Sequence, residues 1–200
     1  MVDRMDAIET QNLLKPVLAD LAEVVDDISP DQLGSPTPCT EMDVAALRDH
    51  ILTWTAIFAG GYADAEGNAP MEIAEDFIAP DDPGAALRQS AATIDQAVRG
   101  GAAERQLLLS GVGGMPGDMA LSMILWEYVV HGWDLAIATG QPWAPDDAAA
   151  SAALEFAPGM LTPDFQGEGK SFAPPVDIGA DAEALDRLLA LSGRNPAWTP

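Results

Sequence analysis

The chain is sparing with the side chains that most often build reactive sites. Its 200 residues include one cysteine and two histidines. A single cysteine, Cys39, excludes an internal disulfide and fits a reducing compartment, so a cytoplasmic protein is expected. There is no run of roughly 18 apolar residues, which excludes a helical membrane span. The first residues, Met1-Val2-Asp3-Arg4-Met5-Asp6, are acidic and precede no apolar stretch, so no secretory signal is expected. Basic residues are scarce too, 9 against 32 acidic ones, for a net charge of −23. Such a surface repels nucleic-acid phosphates and anionic lipid and argues against both as partners. It names no substrate, since high solubility or salt adaptation produces the same balance. Acidic runs such as Glu75-Asp76 and Asp146-Asp147 read as solvated surface.

Sustained alternation of period two is also missing; periods near 3.6 are present instead. Leu14, Leu18, Leu21, Val25 and Ile28 mark a first helix from about Asp6 to Ile28, with Pro16 inside it as a kink or a late start. A second is expected from about Asp43, its N-cap, to Ala59, with Gly60-Gly61 as the stop. A third spans about Pro83 to Val98. The fourth, about Asp118 to Thr139, is apolar nearly all round and therefore central. Short helices are expected over Ala148–Phe156 and over Asp181–Leu191, the latter capped by Asp181 and stopped by Gly193. Gln106–Leu109 reads as a short extended piece, and Gly111–Gly117 as a flexible approach to the fourth helix. The sum is an all-α single domain: a four-helix bundle over about residues 6–140 with a helical extension over about 141–200.

The two histidines lie on the helices best placed to share a core. His50 is near the edge of the apolar face of the second helix. On the fourth, Glu127 precedes His131 by four residues, one turn away on the same face. Glu127 stands among Leu125, Trp126, Val129 and Val130, and a carboxylate withdrawn from water needs a partner. No lysine or arginine lies between Arg105 and Lys170 to supply one locally. Two imidazoles and one carboxylate form a three-ligand set that suits zinc and leaves a fourth position open. Ligand type alone also admits nickel, iron, cobalt or manganese. Asp134, three residues past His131, is placed to hold the other ring nitrogen or to carry a proton. The bland alternative is that the three side chains never converge. Cys39 reads mainly as an apolar packing residue, with a nucleophile or extra ligand as the alternative. Trp54, Trp126 and Trp133 read mainly as core. The Gly113–Gly117 loop lacks the lysine and preceding strand of a phosphate cradle.

Three motifs carry a family resemblance. Pro36-Thr37-Pro38-Cys39-Thr40-Glu41-Met42-Asp43-Val44 followed by Leu47-Arg48-Asp49-His50 resembles the second-helix motif of the mycothiol-dependent maleylpyruvate isomerase N-terminal (DinB-like) superfamily, although the family usually has Trp where Met42 stands. His131-Gly132-Trp133-Asp134-Leu135-Ala136 with Ala138-Thr139-Gly140-Gln141 is similar to its fourth-helix motif. The ending, Phe172–Val176 and Asp186–Trp198, resembles an actinobacterial branch described as metal-binding. The resemblance implies a DinB-like bundle holding a divalent metal through His50, Glu127 and His131. It further implies a low-molecular-weight thiol, mycothiol, as cosubstrate of a transferase or isomerase-like reaction on an electrophile. The residues after Gln141 differ from the isomerase's own C-terminal domain. A non-catalytic metal- or small-ligand-binding protein is the second expectation, as monomer or homodimer.

Overall fold

In the computed structural model, which describes residues 6–74, 77–109, 113–170, 172–179 and 181–200, the chain forms six α-helices and one small hairpin. The helices are α1 (Ala7–Asp26), α2 (Val44–Ala63), α3 (Pro83–Arg99), α4 (Gly117–Thr139), α5 (Asp147–Phe156) and α6 (Ala184–Leu191). Both α1 and α2 pack against α3 and α4, which closes the four into a bundle. The extension continues outward, with α5 on α4 and α6 on α5. The fold is all-α and of the DinB-like type expected.

Local chemistry sets the helix ends. Asp6 and Glu9 form a reciprocal capping box at the start of α1. Asp43 and Asp82 cap α2 and α3 by accepting from Ala46 N and Ala85 N at 2.8 and 2.9 Å. Pro16 lies within α1 on its exposed side without ending it. Gly140, at φ 71°, ends α4 in the left-handed conformation. Of the two acidic runs, Asp146-Asp147 is exposed at the start of α5, while Glu75-Asp76 falls outside the described residues.

Three sequence expectations need correction. Gly60-Gly61 does not stop α2, which runs on to Ala63. Both glycines are there for clearance: a Cβ on Gly60 would stand 2.6 Å from Pro70 Cγ, and one on Gly61 2.9 Å from Leu107 Cδ2. The glycine-rich approach to α4 includes a strand, β2 (Gly113–Pro116), antiparallel to β1 (Gln106–Leu109); Gly111 and Val112 lie outside the described residues. Asp181 does not cap α6, which begins at Ala184 after Glu183.

The core lies between the four long helices. Leu14, Leu18 and Leu21 of α1, Leu47 and Ile51 of α2, Leu87 and Ile94 of α3, and Leu121, Ile124 and Val129 of α4 are fully buried. Most polar side chains inside it are paired, Gln11 Oε1 being a buried atom that is not. The Thr55 hydroxyl donates to Ile51 O at 2.6 Å, and it lies 2.7 Å from the Tyr128 hydroxyl. Beyond α4 the extension makes its own aromatic cluster, with Trp126 stacked on Phe172 at 4.9 Å between ring centroids.

Candidate metal centre

Helix α4 supplies two of the three expected ligands and α2 the third. One turn separates Glu127 from His131, so both project from the same face of α4. His50 comes from the second turn of α2 and meets His131 edge to face, at 5.4 Å between ring centroids. Each of His50, Glu127 and His131 offers one ligand atom, and these atoms all lie within 4.8 Å of one another. Glu127 Oε2 stands 3.4 Å from His131 Nε2. The Glu127 side chain keeps 27% of its surface, so the cluster opens to solvent on the Glu127 side, while His131 is buried. Trp54 flanks His50 at 6.3 Å.

The electrostatics favour a neutral His50 and an ionised Glu127. Burial, reinforced by the nearby His131, pulls the His50 imidazole down to about 4. Burial acts to raise the Glu127 carboxyl, but its hydrogen bond to His131 and the cationic surroundings outweigh it, and the group lies below the usual carboxylate value. His131 is the reverse case. Burial disfavours its charge, yet Asp134 and Glu127 on its two nitrogens hold it above the ordinary imidazole value.

Behind His131 sits a second layer. His131 Nδ1 is 3.1 Å from Asp134 Oδ2, and Asp134 is fully buried. Burial alone would raise the Asp134 carboxyl; the Arg194 guanidinium and the His131 ring keep it low. Arg194 comes from the tail after α6. Its Nη2 donates to Asp134 Oδ2 at 2.9 Å, and its Nε lies 3.3 and 3.2 Å from the two carboxylate oxygens. Arg194 is the residue that inspection of the neighbouring sequence misses, because the cation compensating this acidic cluster is 60 positions downstream.

Cys39 also reaches this layer. Its Sγ, a His131 ring nitrogen and an Asp134 oxygen lie within 4.8 Å of one another. The loop that carries it is held by Thr37, whose hydroxyl accepts from Cys39 N at 3.1 Å and lies 2.8 Å from Met42 O. Cys39 is 8% exposed, and burial pushes its thiol up despite Arg194 nearby. A thiol so held is a poor nucleophile at neutral pH.

The tryptophans divide between the two layers. Trp126 and Trp133 are buried, and Trp54 is half-buried beside His50. Trp143, from the loop after α4, lies over Gly132 and donates its indole N–H to Val129 O at 3.1 Å. A Cβ on Gly132 would stand 2.1 Å from Trp143 Cζ2, so the glycine beside His131 is what lets this ring close on the helix.

The donor set suits a divalent transition metal. Two imidazole nitrogens and one carboxylate oxygen converge from two rigid helices, and one imidazole is already unprotonated at neutral pH. The ligand atoms are close enough to share one ion, and three protein ligands leave coordination positions for water or another molecule. Among the described residues, no helix is long and apolar enough to cross a membrane.

Comparison with known proteins agrees with this architecture. Two uncharacterized proteins of Mycobacterium tuberculosis, from strains CDC 1551 / Oshkosh and ATCC 25618 / H37Rv, are each 28% identical over 173 residues, covering 86% of this chain and 91% of theirs. No solved structure matches significantly. The model of the mycothiol maleylpyruvate isomerase N-terminal domain matches residues 14–136, well over half of the sequence, and spans both ligand-bearing helices. The chain belongs to the mycothiol maleylpyruvate isomerase N-terminal domain family.

Proposed function

We propose that His50, Glu127 and His131 bind one divalent metal ion, zinc suiting the set best, and that the protein is a metal-dependent thiol transferase or isomerase-like enzyme using mycothiol or a similar thiol. The observation that carries this reading is the convergence of the three ligand atoms within 4.8 Å of one another. When bound, such an ion supplies Lewis acidity that lowers the pKa of a thiol or water at its open position. His50 enters the site neutral, ready to donate a lone pair. Glu127 supplies negative charge and faces the solvent side, where a small thiol and its electrophilic partner would approach. Trp54 flanks His50, with 6.3 Å between ring centroids. Asp134, fully buried, touches His131 rather than the open side, so its part in the reaction runs through His131.

The test uses metal-loaded protein with mycothiol and a panel of electrophiles, alongside a cobalt-substituted sample. Thiol-dependent change in the cobalt spectrum together with thiol consumption is the expected result. No thiol consumption and an unresponsive spectrum would overturn the enzymatic reading. A non-catalytic metal- or small-ligand-binding protein is then the remaining reading, favoured by the burial of Asp134, which leaves Glu127 as the acid–base group on the open side.

A further inference from the structure

We infer that Arg194 of the C-terminal tail is a positioning residue, fixing His131 in the tautomer that leaves Nε2 free to bind metal. The inference rests on the metal reading above. A neutral imidazole has one N–H and one lone pair, and its surroundings decide which nitrogen carries which. An ionised carboxylate only accepts, and each ring nitrogen faces one; Asp134 Oδ2, 3.1 Å from Nδ1, is nearer than Glu127 Oε2, 3.4 Å from Nε2, and draws the proton to Nδ1. The lone pair then falls on Nε2, the nitrogen that faces Glu127.

This assignment holds only while the Asp134 carboxylate is correctly turned, and the tail enforces that. Arg194 grips both Asp134 oxygens, with Nη2 at 2.9 Å from Oδ2 and Nε at 3.3 and 3.2 Å from the pair. A planar fork fixes the rotation of a carboxylate in a way the point charge of a lysine does not. Arg194 is itself built into place. Its Nη1 donates to Ser192 O at 2.8 Å, and its guanidinium lies 5.4 Å from the centre of the Phe172 ring. The turn that delivers it is a Schellman ending of α6: Arg194 N donates to Leu189 O at 2.8 Å and Gly193 N to Ala190 O at 3.1 Å. Gly193 sits at φ 79°, and a Cβ there would meet Ala173 O at 2.5 Å. Glycine is therefore required where the chain turns Arg194 inward.

Arg194 and the tail residues that hold it lie beyond the segment that the family model covers, residues 14–136. The ligands come from the bundle and the tautomer lock from the tail. The extension is thus a working part of the site rather than an appendage.

The chain's two histidines make the test direct. Histidine labelled with nitrogen-15, in full-length metal-free protein at an alkaline pH where the rings are neutral, reports the tautomer of each ring; His50→Gln assigns the signals. The expected result is an Nδ1–H tautomer for His131 in the wild type. In Arg194→Lys and Asp134→Asn, part or all of the signal shifts to the Nε2–H form. Zinc affinity of the same variants should fall about 10–100-fold, the usual effect of removing an outer partner of a ligating imidazole. Both substitutions retain size and polarity, and circular dichroism verifies that they fold; if one does not, the other carries the test. Folded variants that keep the wild-type tautomer and bind zinc within about twofold of wild type overturn the inference. A tautomer shift in a protein whose wild type takes up no zinc would instead sink the metal reading and leave the lock standing.

Discussion

Replacing Glu127 with glutamine separates the charge of this side chain from its shape. Glutamine is nearly isosteric, and the side chain is 27% exposed, so the metal-free protein loses one ion pair with His131 at 3.4 Å and little packing. With Glu127 partly open to solvent and His131 buried, losing the pair costs about 1 kcal/mol, so metal-free Tm should change by no more than a few degrees. Metal binding should suffer far more, because one of three ligands loses its anionic oxygen. We expect at least a 100-fold loss of zinc affinity, about 2.7 kcal/mol. The consequence is visible in thermal denaturation. At free zinc about 100 times the wild-type Kd, binding stabilises the native state by about 2.7 kcal/mol, which for a chain this size raises Tm by about 5–11 °C. At the same zinc concentration the variant sits near its own Kd and gains only about 0.4 kcal/mol, a shift of about 1–2 °C. Differential scanning calorimetry of both proteins with and without zinc measures the difference. A variant whose zinc-dependent shift equals that of the wild type would refute the role given to Glu127.

Gly132→Ala places a Cβ 2.1 Å from Trp143 Cζ2. The gain in helix propensity, about 1 kcal/mol, is outweighed by about 1–3 kcal/mol of overpacking and about 0.5–1.5 kcal/mol for the lost bond to Val129 O, so denaturant unfolding should show a net loss that Trp143→Ala largely abolishes. Zinc uptake should release about one proton, from His131, as pH falls below its raised value, and none from His50, which stays neutral down to about 4, below the range where metal is held. The sign follows because the ion competes with the proton on each ring: affinity drops as pH falls, with loss of metal expected below roughly pH 6. Calorimetry in buffers of different ionisation enthalpy counts these protons, and full metal retention at pH 4 would contradict the assignment. Cys39, 8% exposed with its thiol pushed up by burial, should react with an aromatic disulfide reagent much more slowly in the native protein than in denaturant. Equal rates would mean that the thiol is accessible and restore it as a candidate nucleophile.

Much of this molecule is legible in its sequence because its helices obey local rules. The apolar stripe of α1 and the N-cap Asp43 of α2 mark boundaries that hold to within a few residues. The one-turn spacing of Glu127 and His131 fixes their common face with no tertiary information. What fails to show is long-range. Gly60 and Gly61 read as a stop, yet serve contact with Pro70 and Leu107, which sequence spacing cannot reveal. The β1–β2 hairpin pairs a glycine-rich segment with no alternating pattern. The approach of His50 to His131 depends on how α2 packs against α4, and the pairing of Asp134 with Arg194 spans 60 positions. Buried charge was the usable signal: an acidic residue in an apolar helix without a nearby cation requires a distant partner.

The central claim, that His50, Glu127 and His131 hold one metal ion, is tested most directly by equilibrium dialysis against zinc followed by elemental analysis. Wild-type protein, His50→Ala and His131→Ala are compared at neutral pH, with folding of each verified by circular dichroism. The account predicts about one tightly held zinc per wild-type chain and a loss of that zinc in both variants. Equal zinc content in all three proteins, or none in the wild type, would contradict it.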